Sequence, residues 1–410
     1  MIANGAGARL ARRLRTFYFV HYVAIGIYYP FLVPHLRAMG LGGSEIGIAQ
    51  MAGSLAAVPA SFLWGTLADR LRAPARVLML ATSAAFVASV GLVFARTPLT
   101  VALLLFLRGL AAPAIVPLID TTAVDSLHAR PGASYARIRL FGSIGFIVSA
   151  QGAGLFLAQI TEAERAYVMP IAYAAAVLAT TLAAAALQRG ARPPARDAVA
   201  TESRAKPHLR DVRALVTDRR LLLFLMAGAV HEATTATYQL YGAFVHDHGL
   251  SPAVTGAGMA FGVLVEVVVL FSFPALERRF SLTTLLGSAF AASALRWWLT
   301  SQAEAGAWII AIQGFHGLTF GLYWAAAVKG MTLWVPTHLR ATGQALYSGV
   351  TTSLGGAIGY RLAGLGYERW GRAGSVYAVA SAVELAALVL ALCLRSYEPD
   401  HAHVLKEGDR

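Results

Sequence analysis

Ionisable side chains lie inside stretches of this sequence that are otherwise apolar enough to cross a membrane. Glu266 lies in FGVLVEVVVLFSF, Arg296 in SALRWWL and His316 in QGFHGLTFGLYW, while His231 and Glu232 are adjacent in AGAVHEATTATY. A charge at mid-bilayer costs several kcal/mol, so such groups face a partner or a water-filled cavity and mark the path of an ion or a solute. The pattern predicts a transporter.

Glu266 is placed to carry a proton, because it lies near the middle of its apolar stretch. Burial there favours the neutral carboxyl group, whereas a nearby Arg296 or His316 favours the carboxylate. These opposing effects can poise the group to load and release a proton near neutral pH. The alternative is a permanent Glu266–Arg296 ion pair, which would hold two helices together and stay ionised.

The composition places these stretches in a membrane. The chain has 410 residues, of which 57% are hydrophobic and 13% charged, whereas about a quarter of the residues in soluble chains are charged. The net charge is +13, but the basic residues are spread over short loops, which argues against nucleic-acid binding. We find no phosphate-binding loop, nucleophile elbow or zinc-protease motif. We therefore expect no enzyme, no catalytic residue, no metal and no cofactor.

Apolar segments of about 20 residues, the length that crosses a bilayer, recur along the whole chain. We predict an all-α membrane protein with twelve transmembrane helices. The predicted spans cover residues 17–38, 45–67, 76–95, 98–124, 137–160, 166–188, 221–246, 253–274, 282–300, 305–334, 341–366 and 373–395.

A polar, proline-rich segment divides these spans into two sets of six. It contains RGARPPARDAVATESRAKPH, which is short of large apolar residues and is predicted to be a flexible linker. The predicted domains are a six-helix bundle at 1–188, the linker at 189–220, a six-helix bundle at 221–396 and a tail at 397–410. Two six-helix halves with a site between them are typical of secondary transporters.

Arginine is concentrated in the N-terminal segment, in the linker and in alternate short loops. By the positive-inside rule both termini and the linker lie in the cytoplasm. One of these basic loops reads GTLADRLRAPAR. In it Gly65 permits a tight turn, Asp69 can accept from helix N-terminal amides, and Arg70 anchors the cytosolic face.

The fourth span carries a second group of candidates in LLLFLRGLAAPAIVPLIDTTAVDSL. Arg108 lies near mid-membrane, Pro113 and Pro117 are expected to bend the helix, and Asp120 lies in its cytosolic third. The next span opens with YARIRLFGSIGF, which contains Arg139. A bidentate pair between Asp120 and Arg139 is the favoured geometry, either as a binding site or as a structural ion pair that closes a helix hairpin.

Polar and aromatic residues recur at three- and four-residue spacing on single helix faces. The set is Tyr28 on the first span, His231, Thr234, Thr235 and Tyr238 on the seventh, and His316, Thr319 and Tyr323 on the tenth. Such a lining suits an amphipathic solute, although any one ring can instead serve packing. Trp297 and Trp298 are expected to be interfacial belt residues, and Arg361 and Glu384 could pair with each other.

These motifs resemble the major facilitator superfamily, in the branch shared by lactose permease, nucleoside–proton symporters and phenylpropionate permeases. GTLADRLRAPAR is similar to the signature loop of the superfamily, and PLID followed by YARIRLFGSIGF is similar to that branch. GVLVEVVVLF, ALRWWL and HGLTFGLYWAA resemble the phenylpropionate group most. The resemblance covers nearly the full chain. It implies the major facilitator fold with spans one, four, seven and ten around a cavity, alternating access, a monomer and a bacterial-type inner membrane.

The resemblance also implies roles for single residues. Gly65, Asp69 and Arg70 would belong to a loop that latches the two halves during the conformational cycle. In lactose permease the residues similar to Asp120 and Arg139 bind sugar. Its residues similar to Arg296 and His316 serve proton coupling and substrate recognition.

One position departs from lactose permease. Thr319 stands where that permease has a carboxylate that takes part in proton coupling, and a threonine cannot carry the proton. Attention therefore moves to Glu266.

The expected function is proton-coupled import of a small organic solute, such as an aromatic carboxylate. The alternatives are an oligosaccharide or nucleoside symporter, a drug or metabolite exporter, and a transporter-like receptor that moves no solute. The expected partners are protons, the lipid bilayer and the small-molecule substrate. The predicted proton-coupling residues are Glu266, His316, Arg296 and Asp120. The predicted substrate contacts are Arg108, Asp120, Arg139, His231, Tyr238, His316, Thr319, Tyr323 and Tyr28.

Overall fold

The computed structural model describes residues 2–71, 73–128, 135–190, 213 and 215–397. Within these ranges the chain is helical, without a strand, and its helices follow one another as twelve continuous rods in the order of the predicted spans. The predicted all-α architecture is therefore confirmed. Most of the predicted linker and tail, at residues 191–212 and 398–410, lies outside the described residues, and the domain boundaries stay predictions.

The rods are built from α-helices joined by short irregular turns of helix. The α-helices of the described ranges are α1 (Ile2–Ala38), α2 (Gly43–Leu71), α3 (Pro74–Phe94), α4 (Pro98–Ala111), α5 (Ile115–His128), α6 (Tyr135–Leu157), α7 (Glu162–Gly190), α8 (Arg219–Thr235), α9 (Tyr241–Asp247), α10 (Pro252–Arg279), α11 (Leu282–Gln302), α12 (Gly306–Ile312), α13 (Tyr323–Trp334), α14 (Arg340–Tyr347), α15 (Gly356–Trp370) and α16 (Ala373–Leu394). The 3₁₀ segments are Ala112–Ala114, Ala236–Leu240, Gln313–Phe315, Thr337–Leu339 and Arg395–Tyr397, and the π-helical segments are Gly317–Leu322 and Ser348–Gly355.

Eight rods, counted over the described residues, are long and apolar enough to span a bilayer by length and composition. The seventh, ninth, tenth and eleventh rods are outside that set. Three of these four contain a 3₁₀ or π segment: Ala236–Leu240 in the seventh, Gln313–Phe315 and Gly317–Leu322 in the tenth, and Ser348–Gly355 in the eleventh. Irregular backbone at membrane depth is tolerated where it is buried in protein or lines a cavity. The irregular segments of the seventh and tenth rods contain Tyr238, Gln239 and Thr319, whereas Glu266, Arg296 and Glu384 lie in regular helices.

Local sequence fixes where the helices begin. The Thr97 hydroxyl accepts the Thr100 backbone N–H at 3.2 Å, the Thr100 hydroxyl accepts the Thr97 N–H at 3.1 Å, and Pro98 fills the first helical position of α4. This reciprocal cap satisfies two of the amides that a helix start leaves without partners. Ser251, followed by Pro252, starts α10 in a similar way.

Proline interrupts the fourth rod next to Arg108. Pro113 lies within the 3₁₀ segment Ala112–Ala114, which separates α4 from α5. A proline inside a helix removes one backbone hydrogen bond and clashes with the preceding turn, so a local change of helix type is expected here. Arg108 lies in the last turn of α4, directly before this break.

The two halves pack against each other at one end of the molecule, which we call the closed end. There α10 packs on α6 and α15 packs on α2. Glycines allow the close approach: a Cβ atom on Gly154 would lie 2.8 Å from the Pro252 carbonyl oxygen, and one on Gly43 would lie 2.6 Å from that of Gly364. Side chains between these backbones would hold the halves apart, as in other tight membrane helix pairs.

Hydrogen bonds cross the same end. Arg361 of α15 donates to the Ser44 hydroxyl of α2 at 2.8 Å, and the Ser44 backbone N–H donates to a carboxylate oxygen of Glu368 at 2.5 Å. The expected pairing of Arg361 with Glu384 is therefore wrong. Arg361 points across to the other half of the chain, whereas Glu384 is buried inside the second half.

The loop that resembles the superfamily signature lies at the other end, at the C-terminal end of α2. Gly65 and Arg70 are exposed, and a Cβ atom on Gly65 would meet no atom within 4 Å. The side chain of Asp69 lies outside the described residues. In this conformation Gly65 has open space around it, and the latch role of Gly65, Asp69 and Arg70 stays a prediction.

Candidate functional site

A cavity of about 360 Å³ lies between the two halves. Its wall combines apolar residues with polar and aromatic ones, which include His21, Tyr28, Gln50 and Arg108 from the first half and Gln239 and Tyr360 from the second. Small-molecule sites commonly have volumes of roughly 300–1,000 Å³ and few, well-placed polar groups. The cavity is thus large enough for a small organic solute.

Arg108 contributes a cation to this cavity wall. Its Nε donates to the Tyr173 hydroxyl at 2.8 Å, and its guanidinium carbon lies 4.0 Å from the centre of the Tyr28 ring. Among the described residues, no carboxylate forms a salt bridge with Arg108. Its hydrogen bond and its cation–π contact are both made with these neutral aromatic groups. Tyrosine contacts orient the guanidinium without neutralising it, which leaves its charge available to an anionic solute.

A pair of glutamines connects the two halves in the same wall. The Gln50 side-chain amide donates to the Gln239 side-chain oxygen. Gln239 is buried at 3% exposure, and its own Nε2 has no hydrogen-bond partner in the described structure. A buried donor without a partner costs free energy, so a solute oxygen at this place would be stabilised.

Asp120 and Arg139 are connected through tyrosines of α1. Asp120 accepts a hydrogen bond from the Tyr18 hydroxyl, and Arg139 donates one to the Tyr22 hydroxyl, with its guanidinium 4.5 Å from the Tyr22 ring centre. The structure thus differs from the predicted bidentate pair, and no salt bridge joins the two in the described residues. Tyr18 and Tyr22, one turn apart on α1, instead bond to one carboxylate oxygen of Asp120 and to one guanidinium nitrogen of Arg139. The substrate contacts predicted for Asp120 and Arg139 stay predictions.

Arg296 is fully buried in the second half, at 0% exposure. It donates to the Thr319 hydroxyl at 2.9 Å and to the Gln313 side-chain oxygen at 2.7 Å, and it lies 4.2 Å from the Tyr238 ring centre. Another of its contacts is His316, with Nη1 at 3.4 Å from the ring Nδ1. The ring of Trp297 lies beside it, at 1% exposure, so the expectation of an interfacial Trp297 is wrong.

His316 lies between Arg296 and Glu266. Its Nδ1 faces the arginine, and its Nε2 lies 3.5 Å from a carboxylate oxygen of Glu266. An arginine N–H can only donate, so Nδ1 is the acceptor, and the ring proton is then on Nε2 and points at the carboxylate. The histidine therefore separates the two groups that the permanent ion-pair alternative would join. The side chains of His316 and Glu266 keep 13% and 15% exposure, so neither is fully enclosed by protein.

A second cluster of buried polar side chains lies in the second half, and the sequence does not predict the contact at its centre. His231 of α8 and Glu384 of α16 contact each other at 2.6 Å between Nδ1 and Oε1, at 1% and 0% exposure. The other carboxylate oxygen accepts from the Thr234 hydroxyl. The other ring nitrogen of His231 lies 2.9 Å from the backbone carbonyl oxygen of Thr319. Glu384 in the run VASAVELAALVL was a visible signal, but its partner depends on the packing of α8 on α16.

The remaining predicted contacts fall at different depths. Tyr28 is in the cavity wall. Tyr238 is buried beneath Arg296, and Tyr323 is buried with its hydroxyl 3.0 Å from that of Tyr347. The structure thus brings Glu266, His316, Arg296 and Thr319 into one network and places His231 in a separate one behind Thr319. Their assigned roles stay predictions.

Comparisons with known proteins place this geometry in a family. The family described as MFS_1 like family matches residues 11–379 of the chain. The chain is 30% identical over 391 residues to the maltose permease of Geobacillus stearothermophilus, which covers 93% of this chain and 94% of that protein. It is 25% identical over 387 residues to the probable 3-phenylpropionic acid transporter of Escherichia coli (strain K12), which covers 92% of this chain and 96% of that protein.

Solved structures agree on the fold. The crystal structure of the nucleoside transporter NupG matches with a TM-score of 0.76 and 17% sequence identity, over 94% of this chain and 98% of that one. The in meso crystal structure of the POT family transporter PepTSo matches with a TM-score of 0.71 and 14% identity, over 95% of this chain and 98% of that one. At these identities the similarity shows a shared fold and gives no information about the substrate.

Proposed function

We propose a specific transport activity on the premise that this chain belongs to the MFS_1 like family, and so to the major facilitator superfamily. Membership makes the chain a membrane protein and a secondary transporter of a small molecule. The proposed activity is the coupled movement of protons and a small organic solute, with an aromatic carboxylate as the first candidate. The bundles at 1–188 and 221–396 would alternate access to the cavity between them, and the protein would act as a monomer in the inner membrane.

The uncompensated charge of Arg108 is the observation that most supports an anionic substrate. It lies in the cavity wall with tyrosine partners only, among the described residues. A solute carboxylate could form charge-assisted hydrogen bonds with the free edge of the guanidinium. Tyr29 in the same wall offers a ring to an aromatic body, while the Tyr28 ring is already packed against Arg108. One relative is named a probable 3-phenylpropionic acid transporter, which supports the same class.

Proton coupling is proposed for the chain Glu266–His316–Arg296. The ring Nε2 of His316 faces the Glu266 carboxylate, and both side chains are partly exposed. Arg296 donates to His316, Thr319 and Gln313, so protonation of Glu266 would leave no arginine without a partner. Glu266 can therefore load and release a proton while the arginine network stays in place.

The predicted topology indicates the side of the membrane to which the cavity opens. If both termini are cytoplasmic, the closed end, where α1 ends and α2 begins, faces the outside. The cavity would then open toward the cytoplasm, and this structure would be an inward-facing state.

A saccharide is the second candidate substrate, since one relative is a maltose permease at 30% identity. The Gln50–Gln239 pair, with its free amide donor, suits a hydroxyl-rich solute. Asp120 and Arg139 have tyrosine partners that a sugar hydroxyl could replace.

The test is uptake into proteoliposomes with and without an imposed inward proton gradient. Radiolabelled 3-phenylpropionate, maltose and uridine are offered separately. We expect gradient-driven accumulation of the aromatic acid and little of the other two. Accumulation of maltose alone would move the assignment to the second candidate, and accumulation that ignores the gradient would overturn the proposed coupling.

A further inference from the structure

We infer that the buried His231–Glu384 pair is a second proton-binding site, loaded in this conformation and coupled to the Glu266 network through Thr319. This inference deepens the proposed proton coupling and rests on it. The carrying observation is the number of protons that the hydrogen bonds of the pair require.

The ring of His231 has two partners that fix its protons. Its Nε2 lies 2.9 Å from the Thr319 carbonyl oxygen, and a carbonyl can only accept, so Nε2 carries a proton. Its Nδ1 lies 2.6 Å from Oε1 of Glu384. Two lone pairs cannot face each other at that separation, so one further proton lies between these two atoms. The pair is either imidazolium with carboxylate or neutral imidazole with carboxylic acid, and both forms hold the same proton.

Release of that proton requires movement of the helices. The pair is buried, at 1% and 0% exposure, and neither residue is among those that line the central cavity. Without the proton, the ring keeps one N–H for two acceptors, so a lone pair would face either the Glu384 carboxylate at Nδ1 or the Thr319 carbonyl at Nε2, which is unfavourable in a medium of low dielectric constant. α8 would then separate at this point from α16 or from the tenth rod. The proton therefore stabilises the packing of α8 on both of these elements.

Thr319 joins the two proton sites. Its backbone carbonyl accepts from His231, and its hydroxyl accepts from Arg296. It lies in the π-helical segment Gly317–Leu322 of the tenth rod, directly after His316 and its contact with Glu266. A π-helical turn changes the register of backbone groups and often marks functional positions. A shift of this segment would alter both sites together.

Other titratable and charged groups surround the pair. Glu232 is the next residue on α8, and the Tyr323 ring of the tenth rod lies 4.2 Å from the His231 ring. Tyr347 of the eleventh rod donates to Tyr323. Arg296 of α11 bonds to Thr319, and Thr319 in turn contacts His231. Only Glu384, of these acids, shares a proton with His231 in the described structure.

Glu384→Gln separates a proton site from a structural contact. The glutamine amide N–H can donate to Nδ1 of His231, and its oxygen can accept from Thr234, so every hydrogen bond is kept without a titrating proton. In a Cys393→Ser background, Thr352→Cys places a label site in the central cavity. Its reaction with a membrane-impermeant maleimide is measured from each side of the membrane as a function of pH, with no substrate present.

We expect the pH profile of labelling to show two transitions in the parent protein, of which Glu384→Gln removes one and Glu266→Gln the other. Thr234→Val, which deletes one hydrogen bond to Glu384, is expected to move the midpoint of the first transition and leave the second in place. A Glu384→Gln profile identical to that of the parent would overturn the inference. If Glu384→Gln does not fold, Thr234→Val decides instead, and an unchanged midpoint of its first transition would overturn the inference. Solute uptake that ignores a proton gradient in the parent would instead count against the proposed function.

Discussion

The Nε2 atom of His316 lies 3.5 Å from the carboxylate of Glu266, and this contact places a neutral imidazole between the acid and Arg296. A direct ion pair between Glu266 and Arg296 would hold the acid ionised. An intervening histidine weakens that constraint, since the full positive charge is one ring further away and already bonded to Thr319 and Gln313. The geometry therefore differs from the permanent ion pair that would hold Glu266 ionised.

Glu266→Gln is expected to abolish accumulation driven by a proton gradient and to retain counterflow exchange of solute. The glutamine has the size of the acid and can accept from His316, but it has no titrating proton. Uptake and counterflow are measured in the same proteoliposomes. The matched control is Glu277→Gln, which changes an acid of the same helix whose side chain is 38% exposed and lies near Lys329. Accumulation at the parental level in Glu266→Gln would contradict the assignment.

Arg108→Gln is expected to weaken binding of an aromatic carboxylate by about 10- to 100-fold, the loss for one charge-assisted hydrogen bond. Arg108→Lys is expected to recover only part of this loss, because lysine lacks the planar group that stacks on Tyr28 and bonds to Tyr173. The loss of binding is measured as the increase in the apparent KM of uptake of each variant relative to the parent.

Arg96→Gln is the control for this series, because Arg96 donates to backbone carbonyls at the C-terminal end of α3, outside the cavity. Equal losses for the carboxylate and for neutral competitors in Arg108→Gln would show a general disturbance of the cavity and would exclude Arg108 as the anion contact.

Asp218→Ala is expected to destabilise the start of α8 by about 1 kcal/mol, the usual cost of a lost helix cap. Asp218 accepts the Arg220 backbone N–H at 2.8 Å and forms a salt bridge with its guanidinium at 2.9 Å. The Arg220 side-chain hydrogen bond lowers the pKa of Asp218. A lowered folded-state pKa gives stability that is present above the unfolded pKa and is lost as pH falls through the folded one.

The measurement is the melting temperature of the purified protein at neutral and at acidic pH. The difference between Asp218→Ala and the parent is expected to shrink as Asp218 becomes protonated. Asp218→Ser keeps a capping oxygen and removes the salt bridge, so it is expected to recover most of the loss. A difference that grows on acidification would contradict this account.

The sequence predicts the rods of this fold well, because each span carries its own apolar signal. It also identifies Glu266, Arg296 and His316 as one set, since a charge inside an apolar run is visible without knowledge of its neighbours. The pairing of buried groups is different. His231 and Glu384 lie on the seventh and twelfth rods, and only the packing of α8 on α16 decides that they meet.

Two wrong expectations have the same cause. The sequence allows Arg361 and Glu384, charged residues of successive spans, to pair with each other, but a helix has several faces. Arg361 faces α2 of the other half and bonds to Ser44. Trp297 was assigned to the membrane interface, yet it stacks on Tyr377 with ring centres 5.4 Å apart, while the next residue, Trp298, is 53% exposed. Depth along a helix can be estimated from sequence, whereas the face that meets a partner depends on the tertiary packing.

Gly364→Ala is expected to open the closed end. A Cβ atom at this position would clash with the Gly43 carbonyl oxygen and would lie 2.7 Å from the Cα of Gly47, and both are backbone atoms that cannot rotate away. α15 and α2 must therefore move apart, which shifts the population toward a cavity open on the other side. The Thr352→Cys label site in a Cys393→Ser background is expected to gain reactivity from the outside and lose it from the cytoplasm.

Gly152→Ala is the matched control, because Gly152 has no atom within 4 Å of an added Cβ. Equal labelling patterns for the two alanine variants would show that the α2–α15 contact does not close the cavity, and labelling of the parent from the outside alone would reverse the proposed orientation.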